Sequence, residues 1–434
     1  SATALLPLVL FPTLGVADIQ DAAAPFAKPV IFLFLGGFLI ASAVERCGLH
    51  CRVALAVVRS VGGTPGQLLA GCMVATALLS MWISNTAATV MMLPIATSLT
   101  SMLSSDESNS AIPGDRGRVE ICFLLGIAYS ANIGGLGTIV GTPPNALLAG
   151  FLQEQGISLG FGRWMLFAVP LVILFLGLCW LLLARFALKN VSRCVAVSPA
   201  TLDQQYRDLG PMTRAQWTVL SVFSATVALW VFREPLVHWE WLVECCPWVA
   251  RLHDAAIAIG AAVALFLLPG NKATGERVLD WETASGLPWG VLVLIGGGMS
   301  LGAAMGATGL TAVMGSKLQI LLALPPVLLM VALTGLVIFL TELVSNTAIT
   351  AAILPVLFGL GAQALGGPLP LLVPATLAAS CAFMLPIGTP PNAVVFGTGR
   401  VPMHTMMRYG LWLNLIGTIL IPGLMYFLGW MLLA

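Results

Sequence analysis

Long apolar stretches separated by short polar ones set the pattern of this chain. A helix needs roughly 20 apolar residues to cross a bilayer. That ruler places spans near 26–44, 119–152, 163–188, 214–232, 252–269, 284–305, 370–398 and 408–432. Two stretches exceed it. Residues 60–105 carry no charge, and 318–370 carry only Glu342. Each holds Ser-Asn-Thr near its middle, in "WISNTAATVMMLP" and "LVSNTAITAAILP". Each is either two full spans with a tight turn or a re-entrant hairpin. A turn at the far surface would have polar flanks, and neither has them, which favours the hairpin.

The motifs occur in pairs. An offset of 261 aligns Gly36 with Gly297, Gly48 with Gly309, Ser80 with Thr341, and Ser84-Asn85-Thr86 with Ser345-Asn346-Thr347. After the longer polar loop at 104–118 the offset becomes 247, pairing Gly141-Thr142-Pro143-Pro144-Asn145 with Gly388-Thr389-Pro390-Pro391-Asn392. Both halves run glycine-rich span, Ser-Asn-Thr stretch, broken span, final span. If 26–44 runs inward and the hairpins return to their own sides, the halves are inverted copies. Inverted repeats with interrupted segments point to a secondary transporter whose site lies where the halves meet.

Charge fits that topology. Its inner segments hold fourteen cations: Arg46, Arg52, Arg59, Arg116, Arg118, Arg185, Lys189, Arg193, Arg207, Arg214, Lys272, Arg277, Arg400 and Arg408. Its outer segments hold five: Lys28, Arg163, Arg233, Arg251 and Lys317. This is a positive-inside bias. The chain is 59% hydrophobic and 9% charged, too apolar for a water-facing surface, so it is polytopic. Net charge of +1 gives no basic face for nucleic acid. Nine cysteines without a C-x-x-C pair read as small apolar residues. Trp239, Trp241 and Trp248 read as an outer-interface belt. Asp203, Arg207, Asp208 and Arg214 suggest an interfacial helix in the inner linker. The apolar start at Ser1 suggests that a further segment precedes it. No nucleophile–base or metal constellation marks an enzyme.

The motifs have chemistry. Each Pro-Pro pair removes N–H donors, freeing the carbonyls of Ile139 and Val140, and of Pro386 and Ile387. Thr142 and Pro143 should be extended, with Pro144 in the first turn of a new half-helix. Such backbone survives at membrane depth only against protein or a water-lined cavity. Bare carbonyls suit Na⁺, and the N–H groups opening a half-helix suit an anion. Ser-Asn-Thr is placed to cap the second arm of each hairpin. Ser80 and Thr341 lie one helical turn before the motif serines, where a hydroxyl can join a cation site. Glu342 aligns with Met81, so it lies outside the symmetric set. It either tunes ion coupling or forms a buried pair in the hairpin, the second being favoured.

The doubled Ser-Asn-Thr and Gly-Thr-Pro-Pro-Asn motifs resemble the divalent anion/sodium symporter family, most closely its bacterial Na⁺/dicarboxylate symporters, over essentially the whole chain. The resemblance implies an all-α membrane fold of two inverted repeats, each with a re-entrant hairpin and an unwound span. It implies a homodimer working by an elevator motion in the bacterial inner membrane, with no organic cofactor. Scaffold would be 1–60 and 214–317, and transport domain 61–213 and 318–434. One Na⁺ site would use Ser80, Ser84, Asn85 and Gly141, and the other Thr341, Ser345, Asn346 and Gly388. Substrate would meet Asn85, Thr86, Asn346 and Thr347, near Thr142, Thr389 and Pro390. The expected activity is Na⁺-coupled import of C4-dicarboxylates such as succinate, fumarate or malate. Alternatives are a Na⁺-independent exchanger, a citrate or sulfate carrier, and an anion channel on the same frame.

Overall fold

The computed structural model describes residues 2–104, 113–187, 199–270, 276–311, 313, 323–364 and 367–429. Among these the named elements are all helices. The first repeat opens with α1 (Pro29–Arg46) and an amphipathic α2 (Leu49–Val61). A hairpin follows, α3 (Pro65–Ser80) and α4 (Asn85–Ser104). The broken span is α5 (Pro113–Gly135) and α6 (Pro143–Glu154), and α7 (Phe161–Ala187) closes the repeat. The second repeat has α8 (Arg214–Val237), α9 (Asp254–Leu267) and α10 (Trp289–Ala307). Its hairpin is α11 (Pro326–Thr341) and α12 (Asn346–Ala364). Its broken span is α13 (Leu369–Ala379) and α14 (Pro390–Gly397), and α15 (Met403–Leu428) ends the fold. Among the described residues, six helical stretches are long and apolar enough to cross a bilayer by length and composition alone: Ile19–Arg46, Asn85–Leu103, Phe161–Arg185, Arg214–Val237, Trp289–Ala307 and Met403–Leu428.

The hairpins are re-entrant. With 16 residues, α3 is about 24 Å long, short of a bilayer core of about 30 Å. It starts from a capping box in which Thr64 and Gln67 bond each other's backbone N–H. Both arms end on one side. Trp180 of α7 donates to the Gly66 carbonyl at 2.9 Å, and Gln205 of the inner linker donates to Ser98 at 3.3 Å. The turn between the arms instead meets α5 near its end, where Ser80 bonds the Ala131 carbonyl. The expected inner-linker helix is present at Pro199–Asp208.

Six ion pairs among the described residues sort by side. Arg46–Asp280 (2.6 Å), Arg59–Asp203 (3.3 Å) and Arg400–Glu120 join inner residues. Lys28–Glu154 (3.9 Å), Arg163–Glu234 (2.7 Å) and Arg233–Asp254 (2.6 Å) join outer ones. Since Glu120 opens the first broken span and Arg400 follows the second, the two spans run in opposite directions. Bonds from the Thr283 N–H and hydroxyl, with Arg46 beside it, hold the Asp280 carboxyl below the usual carboxylate range. Lys189, Arg193, Lys272 and Lys317 lie outside the described residues.

Helix contacts use the glycines of the repeat. At Gly36 a Cβ would lie 2.6 Å from Ala258 of α9, and at Gly296 it would collide with Phe26. A smaller apolar cluster joins Leu39, Ile40 and Val44 of α1 to Val219 of α8, Leu265 of α9 and Leu279. The main core surrounds α5, α13 and the hairpins. The eight described cysteines are all free. Trp239, Trp241 and Trp248 are exposed, as an interface belt requires.

Candidate functional site

Each hairpin turn carries the same oxygen cluster. Ser80 Oγ lies 2.6 Å from Asn85 Oδ1 and 2.7 Å from the Ala131 carbonyl of α5. Thr341 Oγ1 lies 2.7 Å from Asn346 Oδ1 and 2.8 Å from the Ala379 carbonyl of α13. A hydroxyl has one proton, yet each of these faces two acceptors. In each cluster one proton is shared between the two acceptors. Such a group of oxygens has the chemistry of a cation ligand set. Both hydroxyls are fully buried.

The broken spans supply further oxygens. A Cβ at Gly135 would lie 2.5 Å from Asn85 Oδ1 and 3.1 Å from the Gly141 carbonyl. Gly135 is thus the floor on which hairpin and break meet, and no larger residue fits there. The break itself differs from expectation. Only Thr142 is extended (φ −147°, ψ 143°), and both prolines sit in the first turn of α6. Likewise Thr389 is extended (φ −142°, ψ 149°) and α14 starts at Pro390. Pro143 takes the helical start because N1 needs no N–H. The non-helical run lies upstream of the prolines, at 136–142 and 380–389.

Asparagines of the same motifs hold those runs open. Asn145 Nδ2 donates to the carbonyls of Thr138 (2.8 Å), Gly135 and Leu136 (3.3 Å each). Asn392 Nδ2 donates to Ala382 and Leu385, both at 3.1 Å. An adjacent pair of contacts crosses between repeats. Thr142 Oγ1 lies 3.1 Å from Ser380 Oγ, and Asn132 Nδ2 donates to Thr389 Oγ1 at 2.9 Å. The two breaks therefore lie against each other, inside the fold, at the junction of the repeats.

Two breaks and two hairpin turns meeting at a pseudo-twofold junction are the arrangement of a membrane carrier, and comparison with known proteins agrees. Residues 1–434 match the family described as the sodium:sulfate symporter transmembrane region. The chain belongs to that family. It is similar to a Staphylococcus saprophyticus protein named sodium-dependent dicarboxylate transporter SdcS, at 40% identity over 431 residues, 99% of this chain and 82% of that one. The Staphylococcus aureus protein of the same name is 38% identical over 429 residues, 98% of this chain and 81% of that one. Among solved structures, the Alcanivorax borkumensis YdaH transporter aligns with a TM-score of 0.66 at 19% identity, covering 98% of this chain and 90% of that one. Neisseria gonorrhoeae MtrF aligns at 0.62 and 13%, covering 96% and 83%. At those identities the likeness concerns the fold alone. This member of the sodium:sulfate symporter family is a multi-pass membrane transporter and not an enzyme.

Of the residues expected at the site, Ser80, Asn85 and Gly141 come together in the first repeat, as do Thr341 and Asn346 in the second. Ser84 turns its hydroxyl to the Ala87 N–H at 3.2 Å, capping α4. Ser84 and Ser345 are exposed, Thr86 is half-buried and Thr347 is buried. The Thr142 and Thr389 hydroxyls are engaged across the repeats, and Pro390 is exposed. Asn132, Ser380, Asn145 and Asn392 were not on the expected list. The last two stand inside the quoted motif, where a buried asparagine next to a prolyl break was a visible sign of carbonyl capture.

Glu342 does not form the buried pair within the hairpin that its sequence context favoured. It is buried at 3% exposure and pairs with no cation among the described residues. Its Oε1 accepts from the N–H groups of Phe383 and Met384 and from Asn414 Nδ2, each at 2.8 Å. Its Oε2 accepts from the Leu385 N–H at 2.9 Å. The second break supplies unsatisfied amides, and a carboxylate is the acceptor that meets several of them at once.

Proposed function

We propose that the chain imports C4-dicarboxylates such as succinate, fumarate and malate, coupled to Na⁺. The observation carrying this reading is the doubled oxygen cluster, one buried hydroxyl whose proton is shared between two acceptors in each inverted hairpin. Na⁺ is cargo here, and carbonyl, hydroxyl and amide oxygens are its usual ligands in interrupted helices of transporters. The first site comprises Ser80, Ser84, Asn85 and Gly141, and the second Thr341, Ser345, Asn346 and Gly388. Two bound cations balance one dianion. The opening turns of α4 and α12 have N–H groups without helical acceptors, and these favour carboxylates. Asn85, Thr86, Asn346 and Thr347 stand at those turns, with Thr142, Thr389 and Pro390 at the neighbouring breaks. The names of the staphylococcal relatives, sodium-dependent dicarboxylate transporters, support the same substrate and ion.

Segments 1–60 and 214–317 act as scaffold, and 61–213 and 318–434 as the moving part of an elevator in the bacterial inner membrane. In support, the buried residues of the smaller apolar cluster all come from the first group. The protein works as a homodimer. Reconstituted in proteoliposomes, it should accumulate labelled succinate with Na⁺ outside and not with K⁺. Uptake that is equal in both would exclude coupling. Uptake that appears only after preloading with dicarboxylate would identify an exchanger, and stronger competition by citrate or sulfate would reassign the substrate.

A further inference from the structure

We propose that Glu342 is a positioning residue that makes the two cation sites unequal, the second being the tighter one. This rests on the Na⁺-coupled reading above. The carboxylate is saturated by four N–H donors, three from the second break and one from Asn414 of α15. What it does is fix peptide planes. In a trans peptide the C=O of one residue points opposite to the N–H of the next. The N–H of Phe383 is tied to Glu342, while the C=O on the other side of that peptide, from Ala382, accepts from Asn392. The plane is held at both edges. The Met384 and Leu385 amides are drawn to the same carboxylate, which turns the Phe383 and Met384 carbonyls away from it.

The charge also lies beside the proposed ligands. Glu342 follows Thr341 in the chain, and a Cβ on Gly388 would lie 2.9 Å from Glu342 Oε2. In the first repeat the same position is Met81. Its side chain packs near Gly137, and its carbonyl accepts from the Thr138 hydroxyl. That break has no fixed anion and no side chain gathering its amides. A unit charge within about 4–6 Å changes the affinity for an opposite charge by about ten-fold or more. The second site is therefore ordered and occupied at lower Na⁺, and the first fills after it.

The experiment uses the purified full chain without substrate, following the thermal midpoint as Na⁺ replaces K⁺ at constant ionic strength, together with Na⁺ activation of succinate uptake. Glu342→Gln is expected to raise the half-saturating Na⁺ about ten-fold in both measurements, the scale set by one nearby charge, with lost uptake recovered by raising Na⁺. Glu342→Asp keeps the charge but shortens its reach, and should shift the same curve less. A lower thermal midpoint with unchanged half-saturating Na⁺ would overturn the proposal, leaving only a structural role. If Glu342→Gln does not purify as a single species, Glu342→Asp decides, and an unshifted Na⁺ curve rejects the idea. A wild-type protein that ignores Na⁺ in both assays instead refutes the coupling reading on which this rests.

Discussion

Replacing Gly37 and Val140 together with cysteine tests whether the first break leaves α1 during transport. Val140 is 6% exposed, and a Cβ at Gly37 would lie 3.6 Å from its Cβ. Disulfides span Cβ separations of about 3.5–4.5 Å, so this pair should close without backbone movement. The repeat supplies the matched opposite. Adding the offsets (37 + 261 and 140 + 247) gives Gly298 and Ile387. Ile387 is 74% exposed, and Gly298 faces Ala351 and Leu147 instead. The neighbours show the same imbalance. Ile83 is 3% exposed and its counterpart Val344 is 49%. Trp82 stacks on Phe161 and Trp230, while its counterpart Leu343 is 68% exposed. One repeat is docked and the other is not. If transport exchanges the two arrangements, Gly298 and Ile387 meet in the opposite-facing state. In a background without native cysteines, oxidised Gly37→Cys/Val140→Cys should cross-link, lose uptake and recover with reductant. Gly298→Cys/Ile387→Cys should cross-link faster with Na⁺ and succinate present. Normal uptake by the fully cross-linked first pair would refute the motion.

Further outcomes follow from the same contacts. Asn145→Ala removes the two amide protons that serve three carbonyls of the first break, at about 1 kcal/mol each, and should lower stability by about 2 kcal/mol. Asn392→Ala, with two such bonds, should cost about 2 kcal/mol. Thermal midpoints in detergent compare the two, and a larger drop for Asn392→Ala would contradict bond counting. Asp254→Ala strands Arg233 in a largely buried pair and should cost about 3–5 kcal/mol. Glu120→Gln, in a more open pair with Arg400, should cost less than about 1 kcal/mol by the same assay. Equal midpoints for these two would show that burial does not set the difference.

Whatever acts through local backbone chemistry was legible in the chain. A prolyl pair must free carbonyls, a serine or threonine one turn before a helix start must lie near it, and a repeat must duplicate both. Ser80 with Asn85, Thr341 with Asn346, and the opposed breaks all follow from such rules. The span boundaries came out within a few residues for the same reason, since apolar length is itself the physical constraint. The misses required partners far away in sequence. Thr142 meets Ser380, and Asn132 meets Thr389, across more than half the chain, and a hydroxyl or amide carries no mark of its distant partner. The upstream extent of the breaks was hidden because Asn145 and Asn392 set it, by capturing carbonyls before the glycine of each motif.

The buried-pair reading of Glu342 failed for a more instructive reason. A lone carboxylate in an apolar stretch invites a search for a cation, and none lies against it. Its partners are backbone amides of Phe383, Met384 and Leu385, which every sequence possesses and which become available only where a helix has been interrupted. The break thus creates two kinds of unsatisfied group, carbonyls and amides. In the first repeat Asn145 takes the carbonyls and no carboxylate takes the amides. In the second, Asn392 and Glu342 take one kind each. The two breaks thus share a motif but not a charge: Glu342 gathers the amides of the second, and an apolar methionine, Met81, stands at that place in the first.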